Sequence, residues 1–441
     1  MVEARAWAAD HGIAVTGPED CRGEDIAANP CIDFGRLERR TPRFVLRTTS
    51  AEQVAASLAY LAGRRLPYKL RGAAHSPGGE VLSEGGAVVD LGGLSGIVAE
   101  GDDEITALGG TTWLALWERL APTGRRPLGL TTNPRVTVAG LLSVGGVPDT
   151  AHLHGAMVAG VRRLVLATPR GELRPVAPGD PLFDHALCGH GQVGAIVEAT
   201  VATWPRSHVL TGRVLRWDRP DQFLADAEIV LERRLYDYFR GRLEWRWPAP
   251  RVWALAGQLV KEAPLDDPGL AQLRPRQVSP VERFDLLAHA VANPVAHLRY
   301  FAPCVELVYP YPDGIDAFRR ADAFVVQSRL NEHLPRGASL MLLPGTRGLP
   351  LSPFQSPRCL VLVIRPEIHR IEDARTCDAR LERLAEDALA AGGRVYLTSF
   401  PLSRVALERQ LGPAAATLAT LRRELDPDGL CCRGNLFGWG A

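Results

Sequence analysis

The sequence has almost no lysine. Only Lys69 and Lys261 occur among 441 residues, so arginine carries nearly all of the basic charge. We attribute this bias to the base composition of the coding genome and draw no functional conclusion from it. Lysine and arginine together number 51, and aspartate and glutamate 50, which gives a formal net charge of +1. This balance argues against a polyanion-binding surface and therefore against a nucleic-acid partner.

The sequence also lacks the usual signs of export, membrane insertion and metal binding. No apolar run is long enough to span a bilayer, and residues 1–15 contain no apolar core of a signal peptide. The eight cysteines include no CxxC pair, and His152 and His154 have no third ligand of matching spacing. We therefore expect a cytoplasmic protein with reduced thiols, no membrane partner and no metal. Cys21 and Cys31 are the pair that would bond if the protein were exported.

The chain is too long for one ordinary core, and its composition changes along its length. Residues 1–208 are dense in glycine, with short strands alternating with helices. They include a predicted helix at residues 50–66, behind a serine that can cap it, and a predicted hairpin at residues 161–176 around Pro169-Arg170-Gly171. Residues 209–395 contain less glycine and more aromatic residues, in repeated strand-to-helix segments that favour an antiparallel sheet with helices on one face. Glycine returns in residues 396–441. These patterns predict an α+β protein of two domains, with the last stretch returning to the first domain.

A glycine-rich stretch, RGAAHSPGGEVLSEGG, occupies residues 71–86 between two predicted strands. Small residues let backbone N–H groups approach a ligand closely, and successive N–H groups form an anion-binding nest. The stretch therefore suits a pyrophosphate, although it is not the G-x-G-x-x-G fingerprint that opens a helix. A surface turn with a solvated histidine is an equally good interpretation of this spacing.

Two further clusters of small residues follow, TVAGLLSVGG at residues 137–146 and CGHGQVGAIV at residues 188–197. Three separate loops of this kind in one domain favour a long, flat cofactor that contacts backbone at several points. Ordinary turns remain an alternative for each cluster taken alone.

Taken in order, these motifs resemble the vanillyl-alcohol-oxidase superfamily of flavoproteins, which have a PCMH-type FAD-binding domain. The segments LTSFP and LDPDGLCCRGN near the C-terminus, and APCVELVYP before them, are similar to the cytokinin dehydrogenase branch. The resemblance covers most of the chain. It implies a two-part FAD-binding domain, formed by residues 1–208 and 396–441, and a substrate domain at residues 209–395 with an antiparallel sheet covered by helices.

The resemblance also implies FAD as the cofactor and His75 as the residue joined to the flavin 8α-methyl group. A second covalent link is not expected, because Asn133-Pro134-Arg135 stands where bicovalent members have a cysteine. The other positions implied to contact FAD are Leu70, Gly72, Ala74, Ser76, Thr132, Thr137, Ser143, Gly146, Val147, Gly194, Ile196, Cys432 and Asn435.

The acidic catalytic residue of the branch is missing. Thr132 occupies the position of the aspartate that accepts a proton from the amine substrate, and a hydroxyl is a poor base. This argues against a cytokinin as substrate. Glu244 matches a family glutamate on a strand facing the flavin and is the remaining catalytic candidate, with Trp245 and Trp247 on the other side of that strand. A surface glutamate on an edge strand is the alternative.

The predicted function is that of an FAD-dependent oxidoreductase acting on CH-OH or CH-NH groups. A small molecule, such as an alcohol, a sugar or a secondary metabolite, would deliver hydride to the flavin, and O2 or another electron acceptor would reoxidise it. The alternatives are a reductase that binds flavin without a covalent bond, and a degenerate homologue that binds a small molecule without turnover.

Overall fold

The computed structural model describes residues 1–246, 249–260, 267–292, 301–398 and 402–433. Within these ranges the helices are α1 Val2–Asp10, α2 Ala51–Gly63, α3 Trp113–Leu120, α4 Val138–Val144, α5 Ala151–His154, α6 Pro181–Ala186, α7 Pro220–Arg233, α8 Leu286–Ala292, α9 Ile315–Gln327, α10 Ile371–Ala390, α11 Arg404–Leu411 and α12 Pro413–Leu425. The strands are β1 Ala14–Thr16, β2 Phe44–Arg47, β3 Tyr68–Arg71, β4 Ala87–Asp90, β5 Ile97–Glu100, β6 Glu104–Leu108, β7 Arg126–Pro127, β8 Val161–Ala167, β9 Leu173–Val176, β10 Ala195–Trp204, β11 Val209–Trp217, β12 Tyr238–Arg246, β13 Ala249–Gln258, β14 Gln277–Val278, β15 Glu282–Asp285, β16 Val305–Pro310, β17 Ala338–Pro344, β18 Arg358–Ile364 and β19 Arg394–Val395. This combination confirms the predicted α+β class.

The first sheet has the strand order β1-β2-β4-β3 and positions the glycine-rich stretch. Strand β4 runs parallel to both β2 and β3. Parallel neighbours need a crossover connection, and residues 72–86 form the one between β3 and β4. On the other side of β3, Tyr68 N donates to Leu430 O at 3.0 Å and Cys432 N donates to Tyr68 O at 2.8 Å. The C-terminal segment therefore lies beside the strand that leads into the loop.

Local sequence explains the helix that covers this sheet. Ser50 begins α2, and its side chain accepts a hydrogen bond from Gln53 N, as expected for a helix cap. Val54, Leu58 and Leu61 follow at helical spacing and are fully buried. The predicted helix at residues 50–66 is confirmed, although it ends at Gly63.

The second sheet is antiparallel, with the order β5-β6-β10-β8-β9 and β7 paired to β10. Its β8–β9 pair is the hairpin predicted around Pro169-Arg170-Gly171. Helix α4, which carries the second cluster of small residues, begins at Thr137, whose hydroxyl accepts from Gly140 N at 3.2 Å. Helix α4 contacts β10 and β6. Both later clusters of small residues are thereby held at one end of the second sheet.

The third sheet has the order β14-β11-β13-β12-β17-β18-β16-β19, with β15 paired to β11. Successive side chains of a strand point to opposite faces. On β17 and β18, Leu340, Leu342, Leu360 and Leu362 are buried in one cluster with residues of α7, α9 and α10. The intervening Met341, Leu343 and Val361 belong to another cluster, together with residues of the second sheet and α4. The third sheet therefore has one helix-covered face and one face turned toward the loops of the first two sheets.

One thiol prediction is wrong in part. Cys21 and Cys31 form a disulfide, whereas the sequence was expected to hold only reduced thiols. Spacing alone did not show that residues 18–34 fold back on themselves. The remaining cysteines form no disulfide among the described residues and are buried. Within the described ranges no helix is long and apolar enough to cross a membrane, and no group of three potential metal ligands occurs.

Candidate active site

A cavity of about 570 Å³ has two walls of different construction. We call the first the loop wall; it is formed by residues 70–77, 131–147 and 190–196. We call the second the sheet wall; it is formed by the loop-facing side of β12, β13, β16, β17 and β18, with the residues that flank these strands. The cavity therefore lies where the third sheet faces the loops of the first two.

Small residues are required in the loop wall for steric reasons. A Cβ atom on Gly72 would overlap Thr137 Oγ1, the atom that caps α4. Ala74 has φ 53° and Gly146 has φ 65°, in the left-handed region that few non-glycine residues adopt. Gly146 N donates to Tyr396 Oη at 2.6 Å. The small residues thus let this wall pack closely against α4 and Tyr396, and the nest interpretation stays a prediction.

His75 lies near the start of the loop formed by residues 72–86, and it lines the cavity. Its ring centroid is 4.1 Å from that of Phe34, and Asn133 Nδ2 lies 3.2 Å from His75 Nε2. Burial of the ring, with a smaller contribution from the positive charge of Arg365, lowers the pKa of His75 to about 3. The imidazole is therefore neutral at physiological pH. A neutral ring nitrogen has the lone pair that a bond to a carbon atom requires.

Most of the positions implied by the family resemblance lie around this cavity. Cys432 has φ 50°, and a hydrogen bond with Cys431 is the main effect that lowers the pKa of Cys432 to about 7. The sequence-predicted residues that line the cavity are Leu70, Gly72, Ala74, His75, Ser76, Thr132, Thr137, Ser143, Gly146, Val147, Ile196 and Cys432.

One implied position, at Gly194, does not line it. Gly194 has φ 130°, and a Cβ atom there would overlap the carbonyl oxygen of Ala167. This glycine allows the start of β10 to approach the end of β8, and it supports the wall from behind. Asn435 lies outside the described residues, so its position stays a prediction.

Glu244 does not reach the cavity. It lies on β12 in the same alternating row as Tyr238, Arg240 and Arg242, which do line it. Glu244 instead borders a separate small pocket, and its Oε1 accepts a hydrogen bond from Trp253 Nε1 at 2.9 Å. The predicted face of the strand was correct, but the residue lies too far along it. Trp245 points the other way, as expected, and donates to Asp322 on α9; Trp247 lies outside the described residues.

The sheet wall brings together residues that sequence reasoning missed. Alternation on each strand would have marked which residues share a face, but not which face meets the loops. The sheet-wall residues are Tyr238, Arg240, Arg242, Trp253, Leu255, Glu306, Ser339, Met341, Val363 and Arg365, with Arg336, Gly337 and Glu367 at the strand ends. Every second residue faces the cavity, as shown by residues 238, 240 and 242 and by residues 363 and 365.

Glu306 is the buried acid of the sheet wall. Its neighbours Val305 and Leu307 point into the helix-covered core, so Glu306 faces the cavity with 8% of its surface exposed. Burial raises the pKa of this carboxyl, while the positive charges of Arg365 and Arg240 act in the opposite direction. Arg365 Nη2 lies 3.7 Å from Glu306 Oε1. A carboxyl of raised pKa in a cavity is a typical proton acceptor.

Two further acids lie beneath the first loop. Asp33 Oδ2 accepts from Gly79 N at 2.7 Å, and burial raises the pKa of Asp33 to about 6. Glu80 lines the cavity, and burial raises its pKa to about 8. Glu80 Oε1 has no hydrogen-bond partner among the described residues. Buried carboxyls with raised pKa values therefore lie next to the glycine-rich loop, and the small residues of the loop did not predict them.

The residues present fit FAD. The loop wall offers close backbone approach, and His75 offers a neutral ring nitrogen beside it. Residues 42–176 match a family model described as an FAD binding domain. The chain is therefore similar to the PCMH-type FAD-binding flavoproteins. The predicted superfamily is therefore confirmed.

Similar proteins extend the match beyond that domain. This flavoprotein is 26% identical over 424 residues to an uncharacterized oxidoreductase, ORF5 in the fasciation locus of Rhodococcoides fascians, covering 90% of this chain and 93% of that protein. It is 29% identical to cytokinin dehydrogenase 6 of Oryza sativa subsp. japonica, covering 50% of this chain and 45% of that protein. For cytokinin dehydrogenase 5 of the same plant the values are 31%, 48% and 43%.

The chain thus matches less than half the length of these cytokinin dehydrogenases. Both comparisons nevertheless agree with the predicted resemblance to FAD-dependent oxidoreductases of the cytokinin dehydrogenase-like branch.

Proposed function

We propose that this flavoprotein is an oxidase or dehydrogenase with FAD joined to His75, and that it oxidises a C–H bond next to oxygen or nitrogen in a small molecule. The observation that carries the proposal is the neutral imidazole of His75, which lies in the cavity among the small residues of the 72–86 loop. Asn133 and Phe34 hold the ring from two sides. They fix its orientation, which bond formation requires.

We further propose that the two walls belong to different domains. The loops and the C-terminal segment beside β3 support an FAD-binding domain formed from residues 1–208 and 396–441. The third sheet supports a substrate domain at residues 209–395. In this arrangement the substrate occupies the space between the cofactor and the sheet wall.

Bound FAD supplies the hydride acceptor, with O2 or another compound as the final electron acceptor. The substrate C–H bond breaks as a hydride, and the O–H or N–H next to it loses a proton as the C=O or C=N bond forms. Glu306 accepts this proton at its carboxylate, in place of the family aspartate at Thr132 and of Glu244. Its support is its position in the cavity and the burial that raises its pKa.

The covalent bond is tested by acid precipitation of the purified protein. A yellow pellet, with the flavin mass on a peptide containing His75 after proteolysis, is the expected result. Yellow colour in the supernatant would exclude the bond and favour a reductase with dissociable flavin. A protein that carries no flavin, even when FAD is added during purification, would overturn the proposal.

The reaction is tested by mixing the yellow protein with alcohols, sugars and amines without oxygen. Bleaching of the flavin absorbance by one class identifies the oxidised group. Cytokinins serve as the comparison, because Thr132 replaces the aspartate and we expect them to reduce the flavin poorly. The cytoplasmic location stays a proposal of the sequence.

A further inference from the structure

The sheet wall carries more positive than negative charge. Four arginines and two glutamates line it, namely Arg240, Arg242, Arg336, Arg365, Glu306 and Glu367. The two glutamates are paired with the two arginines at the strand ends. Arg336 Nε lies 3.2 Å from Glu367 Oε1, and Arg365 Nη2 lies 3.7 Å from Glu306 Oε1. Among the described residues, this pairing leaves Arg240 and Arg242 with no carboxylate at ion-pair distance, although the charge of Arg240 still lowers the pKa of Glu306.

Arg240 and Arg242 are adjacent in the cavity-facing row of β12 and are half-buried. Arg242 Nη1 makes a long contact of 3.4 Å to the neutral Ser339 Oγ. Within the described part of the chain, no carboxylate lies at ion-pair distance from either guanidinium. Burial lowers the pKa of Arg242, and the charges of Arg240, Arg336 and Arg365 lower it further. Two guanidiniums held together against their mutual repulsion are suited to an anion.

The residues around Arg240 and Arg242 indicate what the uncharged part of a ligand would be. Trp253 and Leu255 on β13 and Met341 and Val363 on the neighbouring strands are apolar groups of the same wall. A ligand that fits both features has a carboxylate at one end and an apolar or aromatic body. The phosphates of the cofactor are a poorer match, because the close backbone approach suited to them lies on the loop wall.

We propose that Arg240 and Arg242 bind a carboxylate of the substrate, so that the substrate is a small organic acid with an apolar body. This inference rests on the proposed function, because it assumes that the sheet wall faces a substrate oxidised by FAD. The planar guanidinium matches a carboxylate through two parallel hydrogen bonds, which fixes orientation as well as charge.

The test compares two probes of nearly equal shape, benzoate and benzamide, by calorimetric titration of the holoprotein in a buffer without phosphate or carboxylate. We expect benzoate to bind the wild type at least about tenfold more tightly, since a hydrogen-bonded charge pair contributes this much. The preference should shrink as NaCl is raised. Equal binding of the two probes would overturn the inference without the need for any variant.

Two variants locate the binding. R240Q and R242Q should each reduce benzoate affinity by about tenfold and leave benzamide affinity unchanged. The control is R283Q, because Arg283 is exposed on edge strand β15 of the same sheet, outside the cavity. It should bind both probes as the wild type does. Unchanged benzoate binding in R240Q and R242Q would refute the assignment.

Flavin content separates this inference from the proposed function. R240Q and R242Q should retain as much flavin as the wild type, measured by absorbance after denaturation. Loss of flavin in both variants would show that the arginines hold the cofactor, and would overturn the inference alone. A wild type that prefers benzoate but carries no flavin would overturn the proposed oxidoreductase reaction and leave the anion site standing.

Discussion

The loop wall and the sheet wall of the cavity use the chain in different ways. The loop wall presents backbone and small side chains, and it comes from short continuous stretches such as residues 72–76 and 137–147. The sheet wall presents long charged side chains from several strands, such as Arg242 on β12 and Glu306 on β16. The backbone of the loop wall is suited to a cofactor that many proteins share. The side chains of the sheet wall are suited to recognising one particular substrate. The comparison thus separates how FAD is held from what is oxidised.

The largest expected effect concerns the loop wall. H75A should remove all covalently bound flavin, because the neutral imidazole of His75 is the proposed point of attachment. The measurement is the distribution of flavin absorbance between pellet and supernatant after acid precipitation. H11A is the control, since His11 is exposed and lies outside the cavity. Flavin that stays in the pellet of H75A would place the bond elsewhere.

The next effect tests the sheet wall. E306Q should lower kcat by about 10²–10⁴-fold, the usual contribution of a proton acceptor. Burial raises the pKa of Glu306 above 4.5, so wild-type activity should fall as pH drops through that raised pKa, when the carboxylate becomes protonated. E306Q should lack this acid limb. The measurement is the pH profile of kcat/KM with the substrate found by anaerobic flavin reduction.

E244Q is the matched comparison for that experiment. Glu244 lies outside the cavity and accepts a hydrogen bond from Trp253. Its substitution should leave the acid limb in place and change kcat by less than about threefold. A large loss of kcat in E244Q with none in E306Q would instead assign the catalytic role to Glu244, as the family resemblance implied.

Glu80 lines the cavity beside the loop wall, and its burial predicts a pH dependence of stability. Its folded-state pKa, about 8, is above the ordinary value of 4.5. The stabilising contribution is therefore complete below pH 4.5 and is lost as pH rises through about 8. At pH 9, E80Q should be more stable than the wild type, on the order of 3 kcal/mol, with little difference at pH 4.5.

Chemical denaturation at both pH values measures this difference. E386Q is the control, because Glu386 is exposed on α10 and should give a free energy of unfolding equal to that of the wild type at each pH. A wild type and E80Q that lose stability in parallel between pH 4.5 and pH 9 would mean that Glu80 titrates as an ordinary glutamate.

The smallest effect tests the close packing of the loop wall. G72A places a methyl group against Thr137 Oγ1, which caps α4, and should destabilise the protein by about 1–3 kcal/mol. G63A at the end of α2 meets open space and should be neutral or slightly stabilising. Thermal unfolding of the holoprotein measures both. Equal melting temperatures for G72A and G63A would show that the loop wall tolerates larger side chains.

Sequence reasoning was reliable where short segments carry the information. The capped helix α2, the β8–β9 hairpin and the small-residue loops follow from residues that are close in the chain. These features depend on local backbone conformation and on hydrogen bonds between near neighbours, which the residue types largely set. The role of His75 came from the family resemblance rather than from spacing, and its bond to the flavin stays a prediction.

The errors arose where distant segments meet. The disulfide between Cys21 and Cys31 depends on how residues 18–34 fold back, which spacing does not specify. Glu244 was placed on the correct face of its strand but beyond the end of the cavity. Period-two alternation gives the face, whereas the position along the strand is set by pairing with β13 and β17.

The sequence by itself determined the small-residue loops and the resemblance to flavoproteins, because glycine-dependent backbone and the order of motifs depend on continuous stretches of residues. Only the tertiary structure decided that Glu306, rather than Glu244, is the buried acid of the sheet wall, and that Arg240 and Arg242 lie in the cavity with no carboxylate at ion-pair distance among the described residues. These residues meet because strands distant in sequence pair side by side and one face of their sheet covers the loops. Such pairing is set by burial of the whole sheet, which no single segment specifies.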